Sequence, residues 1–310
     1  MAHQELAARA EVISPVAVGS TIAPRVESLS RRALRRFLRH RLAIVGLITI
    51  AVIVLLAIFG SEDSALKQNL RLGIPNQPPG KVPGYMLGTD ALGRDVLART
   101  LVGGRISILV AIVSVAIACG IGTTIGVISG YAGGWVDTAL MRFVDIVLSF
   151  PIILLLLVVA YLVGPGLITM MVMIGAVTWA QGARIIRGQV LALRETAFIE
   201  AARVVGVSGP RMVVSHILPN IVAPLIVLAT FMVANVIVFE ASLSYLGLGV
   251  QPPTPSWGNL VQQTRVVTVL ERYVWEWAPA AGFIVLMVLA VNFVGDGLRD
   301  ALDQRSTSDR

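Results

Sequence analysis

Five long stretches without a charged residue restrict this chain more than any other feature: Leu42 to Gly60, Ile106 to Val136, Ile146 to Ala183, Met212 to Phe239 and Trp277 to Gly295. A helix needs ~20 apolar residues to cross ~30 Å of hydrocarbon, and a central Arg, Lys or Asp costs about 2.5–3.5 kcal/mol on insertion scales. The third stretch is too long for one helix and is interrupted at Gly164-Pro165-Gly166, a sequence suited to a tight reversal. The expected fold is therefore an all-α integral membrane protein with six transmembrane helices, over 42–60 and about 103–129, 138–163, 166–186, 219–240 and 278–297. A composition 56% apolar and only 14% charged agrees with that class.

An even number of spans puts both termini on one side of the membrane, and basic residues say which. Segments on the N-terminal side hold 17 of the 25 Lys and Arg residues, and the opposite side holds 8. Both termini and the polar loop 187–218 are thus expected in the cytoplasm. This asymmetry accounts for the net charge of +7. A nucleic-acid function would instead need the basic residues on one folded soluble face with a groove-reading module, and the sequence has neither. Cys119 is the single cysteine, and His3, His40 and His216 are scattered, so neither an intrachain disulfide nor a metal-ligand spacing is available. The first apolar run begins 41 residues in and exceeds a cleavable signal's core in length, which reads as an uncleaved anchor.

The longest polar interruption contains Glu200 to Pro219, EAARVVGVSGPRMVVSHILP. Phe198, Ala201, Ala202 and Val205 fall at helical spacing and form an apolar stripe, with Glu200 and Arg203 beside it. Gly206 offers the left-handed position that ends such a helix. Ser208 and Gly209 then stand where a second helix is capped, with Pro210 in its first turn, where a missing N–H costs nothing. The stretch predicts helix, tight turn, helix, and the small side chains of Ala201 and Ala202 allow another surface to approach the backbone.

Residues 1–41 form a tail whose last part sets Leu29, Ala33, Leu34, Phe37 and Leu38 against Arg31, Arg32, Arg35, Arg36 and Arg39, a basic amphipathic helix fit for an anionic lipid interface. It orients the first span or regulates the protein. Residues 61–101 form an extracytoplasmic loop that starts with Pro75, Pro78, Pro79 and Pro83 and ends in LGTDALGRDVLAR, where Asp90, Arg94 and Asp95 suggest a charged collar on an interfacial helix. Gly122, Gly126 and Gly130 stand four apart, the spacing of close membrane-helix packing. Arg142 and Asp145 can pair across one helical face. With Glu240, they are the candidates for translocation or gating, although snorkelling to the interface explains the first two as well. The core spans 102–298, and 299–310 form a cytoplasmic tail.

Several of these segments carry a resemblance. The E-A-A pattern, then Gly206, then Leu218-Pro219 twelve and thirteen residues later, resembles the EAA loop of permease subunits in bacterial ABC importers. His216 stands where that family's general pattern has Ile, and the run H-I-L-P-N resembles its peptide-importing members. Gly130 to Asp137 (GYAGGWVD), the run EASLSYLGLGVQPPTPSWGNL from Glu240 to Leu260, and GDGLRDALD at 295–303 are similar to the same group. The chain, over roughly residues 35–305, thus resembles a C-type permease of a dipeptide or oligopeptide importer in the bacterial inner membrane.

That resemblance implies a type I importer permease fold forming half of a translocation pathway. It implies a heterodimer with a second permease, two cytoplasmic ATPase subunits and an extracytoplasmic peptide-binding protein. Glu200, Ala201, Ala202, Gly206, Ser208, Pro210, Arg211, Leu218 and Pro219 become the residues of ATPase coupling. No cofactor is expected on this chain: its only lysines, Lys67 and Lys81, lack a P-loop context, so ATP and Mg belong to the partners. No catalytic constellation is found. Nickel, glutathione and antimicrobial peptides stay open as cargo. The alternative of a different class is a proton-coupled transporter using Asp145, Glu240 or Asp296.

Overall fold

A computed structural model describes residues 29–67 and 74–302. Expectations for residues 1–28 and for the tail from 303 onward fall outside them. Among the described residues the fold is all helical, apart from one isolated antiparallel bridge between Thr89 and Asp95. The helices are α1 (Leu29–Phe37), α2 (Arg41–Lys67), α3 (Val96–Ala132), α4 (Gly134–Ser149), α5 (Ile152–Val163) and α6 (Leu167–Arg194). They continue as α7 (Ala197–Val204), α8 (Gly209–Met212), α9 (Leu218–Tyr245), α10 (Trp257–Gln262), α11 (Val267–Arg272) and α12 (Val274–Leu302). A π-helical turn, Val213–Ile217, joins α8 to α9.

Five helical paths are long and apolar enough to cross a membrane: Arg41–Gly60, α3, α6, the continuous run Gly209–Tyr245 and α12. The span expected over 138–163 is built differently. It is a bent pair, α4 and α5, turning 87° between Ser149 and Ile152. Pro151 cannot donate an amide hydrogen and pushes its predecessor out of the helical region; Phe150 accordingly lies at φ −93°, ψ 137°. The reversal expected at Gly164-Pro165-Gly166 does separate α5 from α6, with Gly164 at φ 89°.

Two further boundaries differ from expectation. Helix α2 runs to Lys67 rather than giving way to a loop at Ser61. The collar residues Asp90, Arg94 and Asp95 lie in a folded loop ahead of α3, not on an interfacial helix. There the Asp90 Oδ1 accepts the amides of Leu92 and Arg94 at 2.9 Å, and its Oδ2 accepts Arg94 Nε at 2.7 Å. A short carboxylate satisfying its own loop amides favours a turn over a helix. Asp95 then caps α3, accepting the amides of Leu97 and Ala98 at 2.9 and 3.3 Å.

Helix α3 is the bundle's axis, packed along α6 and also touching α2, α4 and α9. The glycines four apart make that closeness possible. A Cβ on Gly122 would stand 2.9 Å from Trp179 O, one on Gly126 2.6 Å from Ala183 O, and one on Gly130 2.8 Å from Val190 Cβ. Backbone therefore lies on backbone along that seam, which maximises contact where no hydrophobic force separates helix from lipid. Ser114 Oγ adds a hydrogen bond to Met171 O at 2.9 Å. On the opposite flank α12 packs against α2 and α9, while α1 lies across its far end with Phe37 beside Gly297.

At the end of α9 remote from α8, the Gly/Pro-rich run folds back on the bundle as a cap. Ser256 and Asn259 form a capping box that starts α10. The Asn259 side-chain amide also donates to Val250 O and Thr254 O, at 3.2 and 2.9 Å. Trp257 is buried, stacks on Phe283 with centroids 5.8 Å apart, and donates its indole N–H to Thr100 O at 3.1 Å. Its backbone amide donates to Ser107 Oγ at 3.1 Å.

Candidate coupling surface

Helix α6 ends at Arg194, so the loop expected over 187–218 is in large part helix, and the non-helical chain shrinks to two short links. In the first, Thr196 stands at the N-cap of α7. The second is a Schellman turn: Gly206 N–H donates to Arg203 O at 3.0 Å and Val207 N–H to Ala202 O at 3.1 Å, with Gly206 at φ 85°. Ser208 occupies the next N-cap position without a side-chain hydrogen bond, and Pro210 lies in the first turn of α8, as its lack of an N–H favours.

This element has its own small core. Ile199, Met212, Ile217 and Ile221 are buried with Val127, Ile186 and Val190, and Ala202 and Val207 pack against that cluster. The stripe anticipated from sequence divides on it. Ala202 turns half inward, while Phe198, Ala201 and Val205 turn outward; the inward anchor is Ile199. Phe198, Val204 and Val205 are 45%, 87% and 83% exposed. Around them Glu200, Ala201, Arg203, Gly206, Ser208, Pro210 and Arg211 are exposed too, so most residues singled out for coupling share one open surface. Leu218 is half-buried and Pro219 exposed at the start of α9, behind the π turn. That turn lets Leu218 N–H reach Val213 O, five residues back, and carries the chain past a proline without breaking the path from Gly209 to Tyr245.

Five further side chains fasten the element, those of Ser129, Tyr131, Asp137, Arg187 and Arg194, and sequence reasoning did not single them out for this. Asp137, at the start of α4, accepts Arg187 Nε and Nη2, each at 2.6 Å, in a bidentate pair, and also accepts Ser129 Oγ. Arg194 Nη1 donates to Gly130 O at 2.9 Å. The Tyr131 ring lies against Gly209, where a Cβ would meet its hydroxyl at 3.2 Å. The segment Gly130–Asp137, read from sequence as a short turn, is thus the brace under the loop. Its partners lie 50 and 64 residues away, and no local pattern encodes such pairings.

The translocation candidates separate. Asp145 does not pair with Arg142; it accepts Arg184 Nη2 from α6 at 2.6 Å, and Arg142 is exposed. Spacing along α4 permits the Arg142 pair, but the packing of α6 beside α4 brings Arg184 to Asp145 instead. Glu240 is completely buried and accepts Ser107 Oγ at 3.0 Å and Ser244 Oγ at 2.8 Å, so it knits α9 to α3 under the cap. Asp296 is exposed near the α1 end of α12.

Residues 122–308 match the family described as binding-protein-dependent transport system inner membrane component, and residues 28–79 match the N-terminal TM domain of oligopeptide transport permease C. Curated relatives include a protein of Brucella suis biovar 1 that carries the name of a peptide permease, 43% identical over 89% of this chain and 91% of its own length. The oligopeptide transport system permease protein OppC of Escherichia coli K12 is 39% identical over 90% of this chain and 92% of its own. The dipeptide transport system permease protein DppC of Alkalihalophilus pseudofirmus is 38% identical over 90% of each chain. Among solved structures, an inward-facing MetNI methionine ABC transporter chain superposes with a TM-score of 0.51 at 22% identity, covering 65% of this chain and 95% of that one, a likeness of fold.

Proposed function

Because the chain belongs to the binding-protein-dependent transport system inner membrane component family, and is a multi-pass inner-membrane ABC importer permease, we propose that it serves a dipeptide or oligopeptide importer and that the α7–α8 surface is where an ATPase subunit docks. The observation that carries the docking assignment is the row Phe198, Ala201, Val204 and Val205, held open to solvent above a core that is already complete beneath it. Apolar side chains in that position gain by being covered. Relatives named as oligopeptide and dipeptide permeases support the cargo class.

In this reading a second permease completes the pathway, a binding protein delivers peptide on the side of α10, and two ATPases occupy the cytoplasmic side with ATP and Mg. The excess of Lys and Arg on that side supports a cytoplasmic position for α7, α8 and both termini. ATP binding draws the ATPases together, and the α7–α8 elements follow. Helix α9 is continuous with α8, and α6 is braced through Arg187 and Arg194, so displacement passes into the spans without slack. Docking must differ in strength between the two states, since an equilibrium moves only by differential affinity. The chain itself performs no chemistry in this cycle.

The test is purification of the tagged chain in mild detergent, wild type beside Ala201→Asp, with mass spectrometry of what accompanies it. Stoichiometric ATPases and a second permease in wild type, with the ATPases lost from a stably inserted A201D, are expected. A variant that retains its ATPases and full uptake refutes the docking assignment.

A further inference from the structure

Exposure on the membrane-spanning helices is not uniform. Helix α2 shows Val45, Ile48, Val52, Leu55 and Phe59 outward, and α12 shows Val285, Leu286 and Leu289, all hydrocarbon. Where α4, α6 and α9 meet, the exposed side chains include Asp145, Gln181, Arg184 and Asn235. A half-exposed ion pair and two amides set against lipid are costly, so this face turns to water or protein. Gln181 lies in α6, about 7.5 Å at ~1.5 Å per residue inside the end at 186 expected for that span.

The same face contains a cavity of about 360 Å³, bounded by the break between α4 and α5 and walled by α6 and α9. Non-helical backbone at membrane depth is tolerated where it is buried or lines water, and the 87° break at Phe150-Pro151 is such a backbone. Three side chains in the wall have hydrogen-bonding capacity that the fold does not use. Gln181 makes no side-chain hydrogen bond among the described residues. Asn235 donates to Phe231 O at 3.2 Å and keeps its carbonyl oxygen open. Thr178 donates to Ile174 O at 2.8 Å and keeps its lone pairs.

We propose that this cavity is the chain's share of a peptide transit site, in which Gln181 and Asn235 hydrogen-bond the backbone amides of an extended peptide whatever its side chains. The proposal rests on the importer reading. An amide that both donates and accepts, with two further acceptors, matches the alternating N–H and C=O of a peptide. The remaining wall is apolar, with Met232 able to reshape around different side chains. No charged group lines it, so it does not select by charge, and no group of metal-ligating side chains occurs among the described residues for a transition-metal cargo. The volume is at the small end of ligand pockets, about 300–1,000 Å³, and suits a short stretch of chain.

The experiment uses the complete importer in proteoliposomes, with a casein digest as cargo and uptake of each peptide read by mass spectrometry. The variant Q181L/N235L is expected to slow acidic, basic and neutral peptides alike, by about tenfold or more for two lost hydrogen bonds, with its partner subunits still bound. Separately, Q181C in a C119A background is expected to react with a sulfonated, membrane-impermeant maleimide and to be shielded while the digest is transported. Uptake equal to wild type, loss confined to one charge class, or an unreactive Q181C overturns the transit site alone. A wild-type chain that imports nothing and binds no ATPase removes the importer premise instead.

Discussion

The two ends of the bundle are built by the same device and finished in opposite ways. At each, a Gly- and Pro-containing run folds back as a short helix over a small local core. The α10 cap turns its large side chain inward: Trp257 is 1% exposed, and Ser256, Asn259 and Glu240 are buried and hydrogen-bonded. The α7–α8 element turns Val204 and Val205 outward and leaves them more than four-fifths exposed. A cap whose polar groups are satisfied and whose aromatic is covered is complete in one chain. An element with its own core and a second, uncovered apolar row leaves that row for the docking proposed above to cover.

Substitutions at the two ends are expected to separate stability from assembly. The largest loss of stability is expected from Trp257→Ala, which empties a stacked and hydrogen-bonded site at about 3–5 kcal/mol; thermal melting in detergent measures it, and an unchanged melting temperature breaks the comparison. Gly126→Val comes next. Its Cβ meets Ala183 O at 2.6 Å, and overpacking of that kind costs about 1–3 kcal/mol, read by the same melt and by weaker protection of α6 in hydrogen exchange.

Asp137→Asn has a smaller and more local effect. Replacing one arm of a charged bidentate pair costs about 1–2 kcal/mol, so amide exchange is expected to rise over α7 and α8 and to stay constant over α10. A rise at both ends means the brace is not local. The smallest effect on stability belongs to Val204→Asp, within about 0.5 kcal/mol as for an open surface site, yet it is expected to abolish ATPase retention on an affinity column. Melting unchanged and retention lost sharpens the comparison most.

Several parts of this arrangement were readable in the linear chain because they depend on local chemistry. Gly206 ends α7 as anticipated, since a positive φ favours a residue without Cβ and the Schellman bonds lie within six residues. The spans were readable because charge-free length is itself the condition for crossing hydrocarbon. Pro151 was visible too, but the stretch 138–163 is long enough for one span as well as for a bent pair, and hydropathy does not register direction. The outward turn of Val205 and the inward turn of Ile199 were hidden because apolar residues stand side by side, Phe198 with Ile199 and Val204 with Val205, so helical spacing admits more than one stripe.

Sequence alone therefore determined the class, the positions of most spans and the helix–turn–helix at 197–212. These follow from propensities and from solvation, which act residue by residue. The tertiary structure alone decided that Asp137 holds Arg187 and not a neighbour, that Asp145 turns to Arg184, that Glu240 is enclosed by serines, and that Gln181 and Asn235 share one cavity. Those outcomes bring together residues 39 to 133 apart in the chain, and they depend on how the helices pack, with α3 along α6 at the centre.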